Sequence, residues 1–467
     1  MKHTIRNSLT LLVLGGFFSI LPLQAENANA PAFTFQLGLG TEILPIDPTA
    51  PLTAENQATY NKLTLKPDIA LGKFGIGLDL TIHFNIKPGP GGTTVEIYEP
   101  DWNWQKAGKS FFELYLPKIA YIRYAEKGEP LFVKLGSFDD GTLGNGFIMG
   151  NYSNTRFLPA TRIFGAALDI DGVLFNFPYV GIETFVGNLA NFDVVGSRLY
   201  VRPLYPLDLP ILKQMQVGVT VAADGDPLRY ADPAFVSTYN LSNETVVIWG
   251  LDTRVPLVNT SLVSLAAFSD LVFQPRSRWG SMLGMGGKLF GFMTYGAQLR
   301  LLGPDFIPTY FDSSYDLFRH IKYASLTGDP SGDMYAGWLA SMGFSLMDEL
   351  VVFNASLDGP FKALPTTLTD TAITDFPHLR MIARLGEGLL AGFSFDALYE
   401  KYYLGAPAPK GTGNFFKDLV DPENAVISAK INYRTGPAIL SLVYDLRYDP
   451  GTDSYVVTSS LMTTVQF

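Results

Sequence analysis

From Phe74 to Lys87 the chain alternates apolar and polar residues without a break. Ile76, Leu78, Leu80, Ile82, Phe84 and Ile86 fall on one face. Gly75, Gly77, Asp79, Thr81, His83, Asn85 and Lys87 fall on the other. A period of two marks a β-strand with one apolar and one polar side. Ala425 to Arg434 repeats it, with Ala425, Ile427, Ala429, Ile431 and Tyr433 against Val426, Ser428, Lys430, Asn432 and Arg434. Further copies run over Leu131–Gly136, Phe292–Leu302, Leu379–Leu385 and Leu389–Tyr402. Strands of soluble sheets usually hold about 5–6 residues. Many of these reach the ~9–11 that cross a bilayer at a tilt.

Mean hydropathy is +0.16 and aromatic residues make up 13% of the chain, which excludes a disordered polymer. Yet past the N-terminus no stretch reaches ~18 uninterrupted apolar residues, so no spanning helix is expected. In lipid the remaining way to satisfy every backbone group is a closed β-barrel. The chain has no cysteine, which excludes a disulfide scaffold, a Cys-ligated zinc, an iron–sulfur cluster and a thiol nucleophile. Its net charge of −10 argues against nucleic acid as a partner, since that needs a basic footprint.

Lys2, His3 and Arg6 precede an apolar run from Leu9 to Leu23, and Leu23-Gln24-Ala25 offers a small residue for cleavage. This reads as a secretory signal peptide over 1–25, leaving 26–467 as a single outer-membrane barrel without linker or second domain. Cleavage after Ala30 would set Pro31 behind the scissile bond, which is unfavourable. An uncleaved anchor would need a longer run.

The connections split into two kinds. Gly72-Lys73, Asp171-Gly172, Met347-Asp348, Glu387-Gly388 and Thr435-Gly436 read as hairpin turns. Segments 41–61, 87–109, 139–160, 224–245, 303–332, 359–378 and 403–424 read as long loops. With a first strand near Phe33, all long loops fall on one side, the asymmetry of outer-membrane barrels. The expected fold is therefore all-β: one transmembrane antiparallel up-and-down barrel of about 16–20 strands, with 20 from direct segmentation. Pro203 to Pro210 is awkward for a strand and is placed as a long periplasmic turn. Too few residues precede the first strand to form an N-terminal plug.

Tyr455, Val457, Leu461, Val465 and the terminal Phe467 share one face of the last segment. An amphipathic last strand ending in phenylalanine resembles the C-terminal signal of bacterial outer-membrane β-barrel proteins, and the size resembles that of large porins, with no motif for one subfamily. The resemblance implies an outer-membrane location in a diderm bacterium. It also implies outer-membrane lipid and the barrel-assembly machinery as partners. Homo-oligomers are an open alternative by analogy.

Catalytic motifs are scarce. There is no His-Glu-x-x-His and no Gly-x-Ser-x-Gly, and Gly108-Lys109-Ser110 lacks the upstream glycine of a phosphate loop. Asp224-Gly225-Asp226 and Asp169-Ile170-Asp171-Gly172 are too short for calcium loops. The expectation is no enzyme, no metal and no cofactor. His83, expected on the inner face, reads better as a solvated lumen residue than as a base.

Alternation places Lys134, Arg198, Arg202, Arg300, Arg380, Arg384, Lys430, Arg434 and Arg447 inside, with Asp79, Asp396, Glu400 and Asp445. Nine basic residues against four acidic ones would favour anions. Equally, the arginines could pair with carboxylates and only brace the wall, and a one-residue register slip would send them to lipid. The acidic excess is then expected in loops, at Asp139, Asp140, Asp224, Asp226, Asp305, Asp312, Asp316, Asp329 and Asp333. The third long loop, Asp139 to Arg156, carries Phe147, Ile148 and Met149 between glycines, which an exposed tip seldom needs. By resemblance to porins it folds inward, Gly144 to Gly150 packing inside the wall with Asp139, Asp140 and Arg156 near an eyelet. Packing against neighbouring loops is the alternative.

Four functions remain: passive diffusion of small polar solutes through an open, anion-favouring channel; transport of a specific, even hydrophobic, ligand; a structural or adhesive surface role; and a barrel enzyme.

Overall fold

A computed structural model describes residues 32–50, 55–89, 92–158, 161–207, 209, 211–347, 349–362, 373–449 and 454–466. The expected signal peptide and Phe467 lie outside them, as do the side chains of Arg447 and Tyr455. Consecutive strands pair antiparallel throughout, from Ala32–Leu44 to Ser454–Gln466. The first and last strands then pair with each other, Leu37 opposite Val465, and close the sheet.

The sheet holds 22 strand segments, which make a 20-stranded barrel. Phe74–Leu78 and Leu80–Gly89 are one strand interrupted at Asp79, both pairing with Ala58–Leu71. Gly92–Ile97 pairs with Leu80–Gly89 above the wall and stands outside the circuit. The interruption follows a register shift between Gly77 and Leu78 against the neighbouring strand Ile119–Tyr124, beside which the Asp79 N–H donates to the Lys118 carbonyl at 2.8 Å.

The outer surface is apolar. Val221, Leu251, Leu271, Leu283, Leu299, Leu442 and Leu461 all point away from the lumen and are exposed. An apolar belt around a closed antiparallel sheet with long loops at one end is the architecture of an outer-membrane β-barrel. No helix of the described residues is long and apolar enough to cross a membrane.

Three expected turns lie elsewhere. The strand ending at Asp171 continues into a 3₁₀ turn, Gly172–Phe175, because the Asp171 side chain accepts from Val173 N–H and caps it. Residues 386–390 extend their strand, so the hairpin turns at Ala391-Gly392, not Glu387-Gly388. Thr435 pairs with Ala438, which moves the next turn to Gly436-Pro437, with Gly436 at φ +60°. Gly72-Lys73 turns where expected, Gly72 at φ +59°.

The largest departure is inside. The expected external loop 303–332 lies within a segment, 303–334, that is not external. It enters the barrel and carries a helix, Tyr315–Thr327, in which Tyr315, Asp316, Phe318, Arg319, Ile321 and Lys322 are all buried. Asp316, in this helix, and Asp224, at the end of the strand Gln216–Asp224, are buried acids, not solvated loop ones.

Candidate functional site

Cross-strand register fixes which side chains face inward. Lys134 lies opposite Ala167, Asp169 opposite Glu183, Glu183 opposite Arg198, and Arg198 opposite Thr220. Asp358 lies opposite His378, Arg380 opposite Glu400, and Asp396 opposite both Arg384 and Lys430. All share the inner face, because directly opposed residues point the same way.

The lumen is filled on one side and open on the other. Segment 137–164 and segment 303–334 both fold inward and clasp each other backbone to backbone. Thr309 N–H donates to Phe147 O at 2.8 Å, Phe311 N–H to Ile148 O at 3.1 Å, and Gly150 N–H to Phe311 O at 3.0 Å. Phe147, Ile148 and Met149 are buried in an apolar cluster with Phe306, Ile307, Phe311 and Tyr315. The cluster leans on inward residues of the adjoining wall, among them Ala222, Ile248, Phe268, Val272 and Met282. Small wall residues make the room. A Cβ on Gly280 would meet the Phe306 ring at 2.5 Å, and one on Gly196 would meet Leu143 at 2.6 Å.

Charge seats the tip of segment 137–164. Gly144 N–H donates to Glu183 Oε2 at 3.0 Å. Asn145 Nδ2 donates to Thr253 O at 3.1 Å and Asp270 Oδ2 at 2.9 Å, while Arg254 Nε donates to Asn145 Oδ1 at 3.0 Å. Gly144 sits at φ +57° beside the Arg198 side chain, where a Cβ would crowd it at 3.1 Å. Arg198 itself joins Asp252 at 2.6 Å and Glu183 at 2.8 Å.

The helix Tyr315–Thr327 is held at both ends. Ser313 Oγ and Ser314 Oγ donate to Glu400, the latter at 2.5 Å, so Ser314 does not cap its own helix. At the other end the Arg278 guanidinium donates to Ser325 O, Leu326 O and Gly328 O, satisfying the last carbonyls. Along it, Arg319 joins Asp224 at 2.6 Å and Asp193 at 3.1 Å, and Lys322 joins Asp312 at 2.6 Å.

The open side is a channel of about 2550 Å³. It is lined by Lys62, Lys66, Asp79, Lys134, Asp139, Asp140, Arg156, Arg162, Arg380, Arg384, Asp396, Lys430, Arg434 and Asp445 among others. Basic side chains outnumber acidic ones along it. Several are paired: Arg162 with Asp79 at 2.5 Å, Lys134 with Asp140 at 3.8 Å, Arg384 with Asp396 at 2.8 Å, Arg434 with Glu387 at 2.5 Å.

Five expected wall residues face inward without reaching this channel. Arg198 and Glu400 lie under the inserted segments. Arg202 is held by Asp171 at 2.5 Å near the short-turn end. Arg300 pairs with Asp358 at 2.7 Å beside a side cavity of about 50 Å³. His83 lies between Asp101, at 3.0 Å, and Glu42, at 3.3 Å. The four acids read from alternation were too few. Glu42, Asp68, Asp169, Asp171, Glu183, Asp252, Asp270 and Asp358 also face inward. Of the third loop, Asp139, Asp140 and Arg156 line the channel, whereas Phe147, Ile148 and Met149 are turned away from it into the apolar cluster. The alternation of Gly250, Asp252 and Arg254 was legible in the sequence and would have found one missed partner of Arg198.

No family model and no curated protein sequence matches the chain. Solved structures of similar outline include Pseudomonas aeruginosa OpdL, 8% identical, with 94% of this chain and 98% of that chain covered and a TM-score of 0.33. Pseudomonas aeruginosa OprD is 8% identical with 94% and 93% covered and a TM-score of 0.32. A BenF-like porin from Pseudomonas fluorescens Pf-5 is 8% identical with 94% and 98% covered and a TM-score of 0.33. At these values the function of this chain is read from its own residues.

Proposed function

We propose that this chain is an outer-membrane channel for passive diffusion of small polar solutes, with a preference for anions. One observation carries the reading: a cavity of about 2550 Å³ lies beside the inserted segments, and more than half of the residues lining it are charged or polar. A water-filled path of this kind sorts solutes by size and by the sign of its wall charge. Lys66, Lys430 and Arg384 supply positive charge on one flank, Arg380 and Arg156 beside the third loop. Asp139, Asp140 and Arg156 are the residues of that loop that narrow the path. No step of this reading is chemical. The segment 1–25 serves as the export signal, the last strand as the assembly signal, and oligomerisation is left to measurement.

Planar-bilayer recording of the refolded protein tests it. Stable open steps are the expected result. Silence from a barrel that still shows heat-modifiable migration would overturn the open-channel reading. A second reading, a gated transporter for one ligand, draws on the depth to which segments 137–164 and 303–334 fill the lumen.

A further inference from the structure

Six adjacent strands of the wall are short, beginning with Ile119–Tyr124 and Leu131–Gly136 at 6 residues each. Gly165–Asp171 and Val180–Val186 have 7 residues each, Val194–Val201 has 8 and Gln216–Asp224 has 9, while Val246–Asn259 has 14. Register shows which end is missing. Asp224 lies opposite Val246 at the long-loop end, but Gln216 already lies opposite Arg254, so Val255–Asn259 run on past it, paired only with Ser264–Ala267 of the following strand. That extension is roughly 16 Å at ~3.3 Å per residue. A lipid-facing band is about 25 Å tall, and seven residues tilted by ~40° reach only roughly 18 Å.

Two irregular connections occupy that level, one over 172–179 and one whose described residues are 202–207, 209 and 211–215. The 3₁₀ turn Leu212–Gln214 packs beside Val246–Asn259. Phe177 and Tyr179 lie 5.0 Å apart, Tyr179 and Tyr205 5.4 Å apart, joining the two connections. Most of their exposed side chains are apolar, Leu174, Phe175, Phe177, Leu207, Leu209 and Leu212, with Asn176 and Gln214 the exposed polar ones among the described residues. The patch runs directly into the lipid-facing Leu199, Val201 and Leu257. Backbone groups are paired within it, Phe177 N–H to Gly172 O at 2.9 Å and Met215 N–H to Leu212 O at 2.9 Å. Two half-buried cations lie in the connections, Arg202 and Lys213, and Arg202 is neutralised by Asp171. Both are conditions for immersion in lipid.

We propose that these two connections are seated in the leaflet on the short-turn side and complete the lipid-facing wall where the strands stop. Acyl chains cover the apolar patch. Continuity with the lipid belt and the depth set by the longer neighbouring strand favour lipid over a periplasmic protein, which is the alternative outcome.

The cysteine-free chain makes the test direct. Phe175→Cys and Leu212→Cys are each spin-labelled, refolded into phosphatidylcholine vesicles and checked for heat-modifiable migration. Leu199→Cys serves as the lipid reference and Ser261→Cys, in an exposed turn, as the aqueous one. If one variant fails to fold, Phe177→Cys or Leu207→Cys replaces it. Labels at both test positions are expected to collide with oxygen several times more often than with a water-soluble nickel chelate, as at Leu199. Dominance of the nickel chelate at both, with Leu199 still lipid-like, would overturn the proposal and leave a water-facing surface for a periplasmic partner. Channel conductance is read separately, so either result is independent of the solute pathway.

Discussion

Asp316 gives the inserted helix a dependence on pH whose sign and window follow from its surroundings. Three carboxyl groups, Asp193, Asp224 and Asp316, surround the single guanidinium of Arg319, at 3.1, 2.6 and 3.8 Å. All four side chains are buried. Tyr152 donates to both Asp316 oxygens, at 3.0 and 3.1 Å, and Tyr315 donates to Asp224 at 2.5 Å. Tyr230 faces the same cluster across the Arg319 guanidinium. Burial pushes the Asp316 carboxyl up to about 7; Arg319 opposes this, Asp193 and Asp224 add to it, and the Tyr152 hydrogen bond offsets part. A carboxyl raised on folding contributes stability that is complete below its unfolded value of 3.8 and is lost as pH climbs through about 7. Each unit in that window is worth about 1.4 kcal/mol, so the upper bound on the loss is on the order of 4 kcal/mol. Asp316→Asn keeps an acceptor for Tyr152 and removes the titration. The assay is amide exchange of residues 315–327 between pH 5 and 8, corrected for intrinsic rates, with single-channel noise recorded in parallel. Wild type should lose protection as pH rises toward 7, and the Asn variant should lose markedly less, the remainder belonging to the Asp224 carboxyl, which burial also raises. The same profile in both proteins, or protection rising with pH in wild type, would refute the reasoning.

Three further outcomes are expected. Phe147→Ala removes a ring 5.6 Å from Phe306 and should loosen the inserted loops by about 3–5 kcal/mol, seen as larger and noisier open steps. Arg198→Ala strands Glu183 and Asp252 without their cation and should cost about 3–5 kcal/mol, read as a lower temperature of heat modifiability. Lys430→Glu reverses a charge on the channel wall; at about 1 kcal/mol per unit charge in a water-like dielectric, with anion and cation shifted in opposite directions, it should change the anion-to-cation permeability ratio toward cations by well over roughly fivefold.

Much of the barrel was legible because lipid imposes a rule on every spanning residue. Each strand must alternate, and Phe74–Gly89 and Ala425–Thr435 do so visibly. The same alternation set the inner face of Lys134, Arg380, Arg384 and Lys430, and the register agrees. Turns such as the one at Gly172 shifted because a local side-chain cap extended them. The helix Tyr315–Thr327 was hidden for a different reason. It is buried while carrying Asp316, Arg319 and Lys322, and the partners that make this tolerable, Asp193, Asp224 and Asp312, come mainly from other segments. Sequence did hold one signal: residues 310–327 contain neither glycine nor proline, unusual for an exposed loop. The apolar inner faces of Val246, Ile248, Phe268 and Val272 were a second, since a water-filled lumen does not need them.

The most direct measurement of the channel reading is the reversal potential of the refolded protein in a planar bilayer under a salt gradient. An anion-selective potential is expected, since basic side chains outnumber acidic ones along the open path. A cation-selective potential through stable open channels would contradict it, and would mean that the carboxylates paired with those residues, not the residues themselves, set the field.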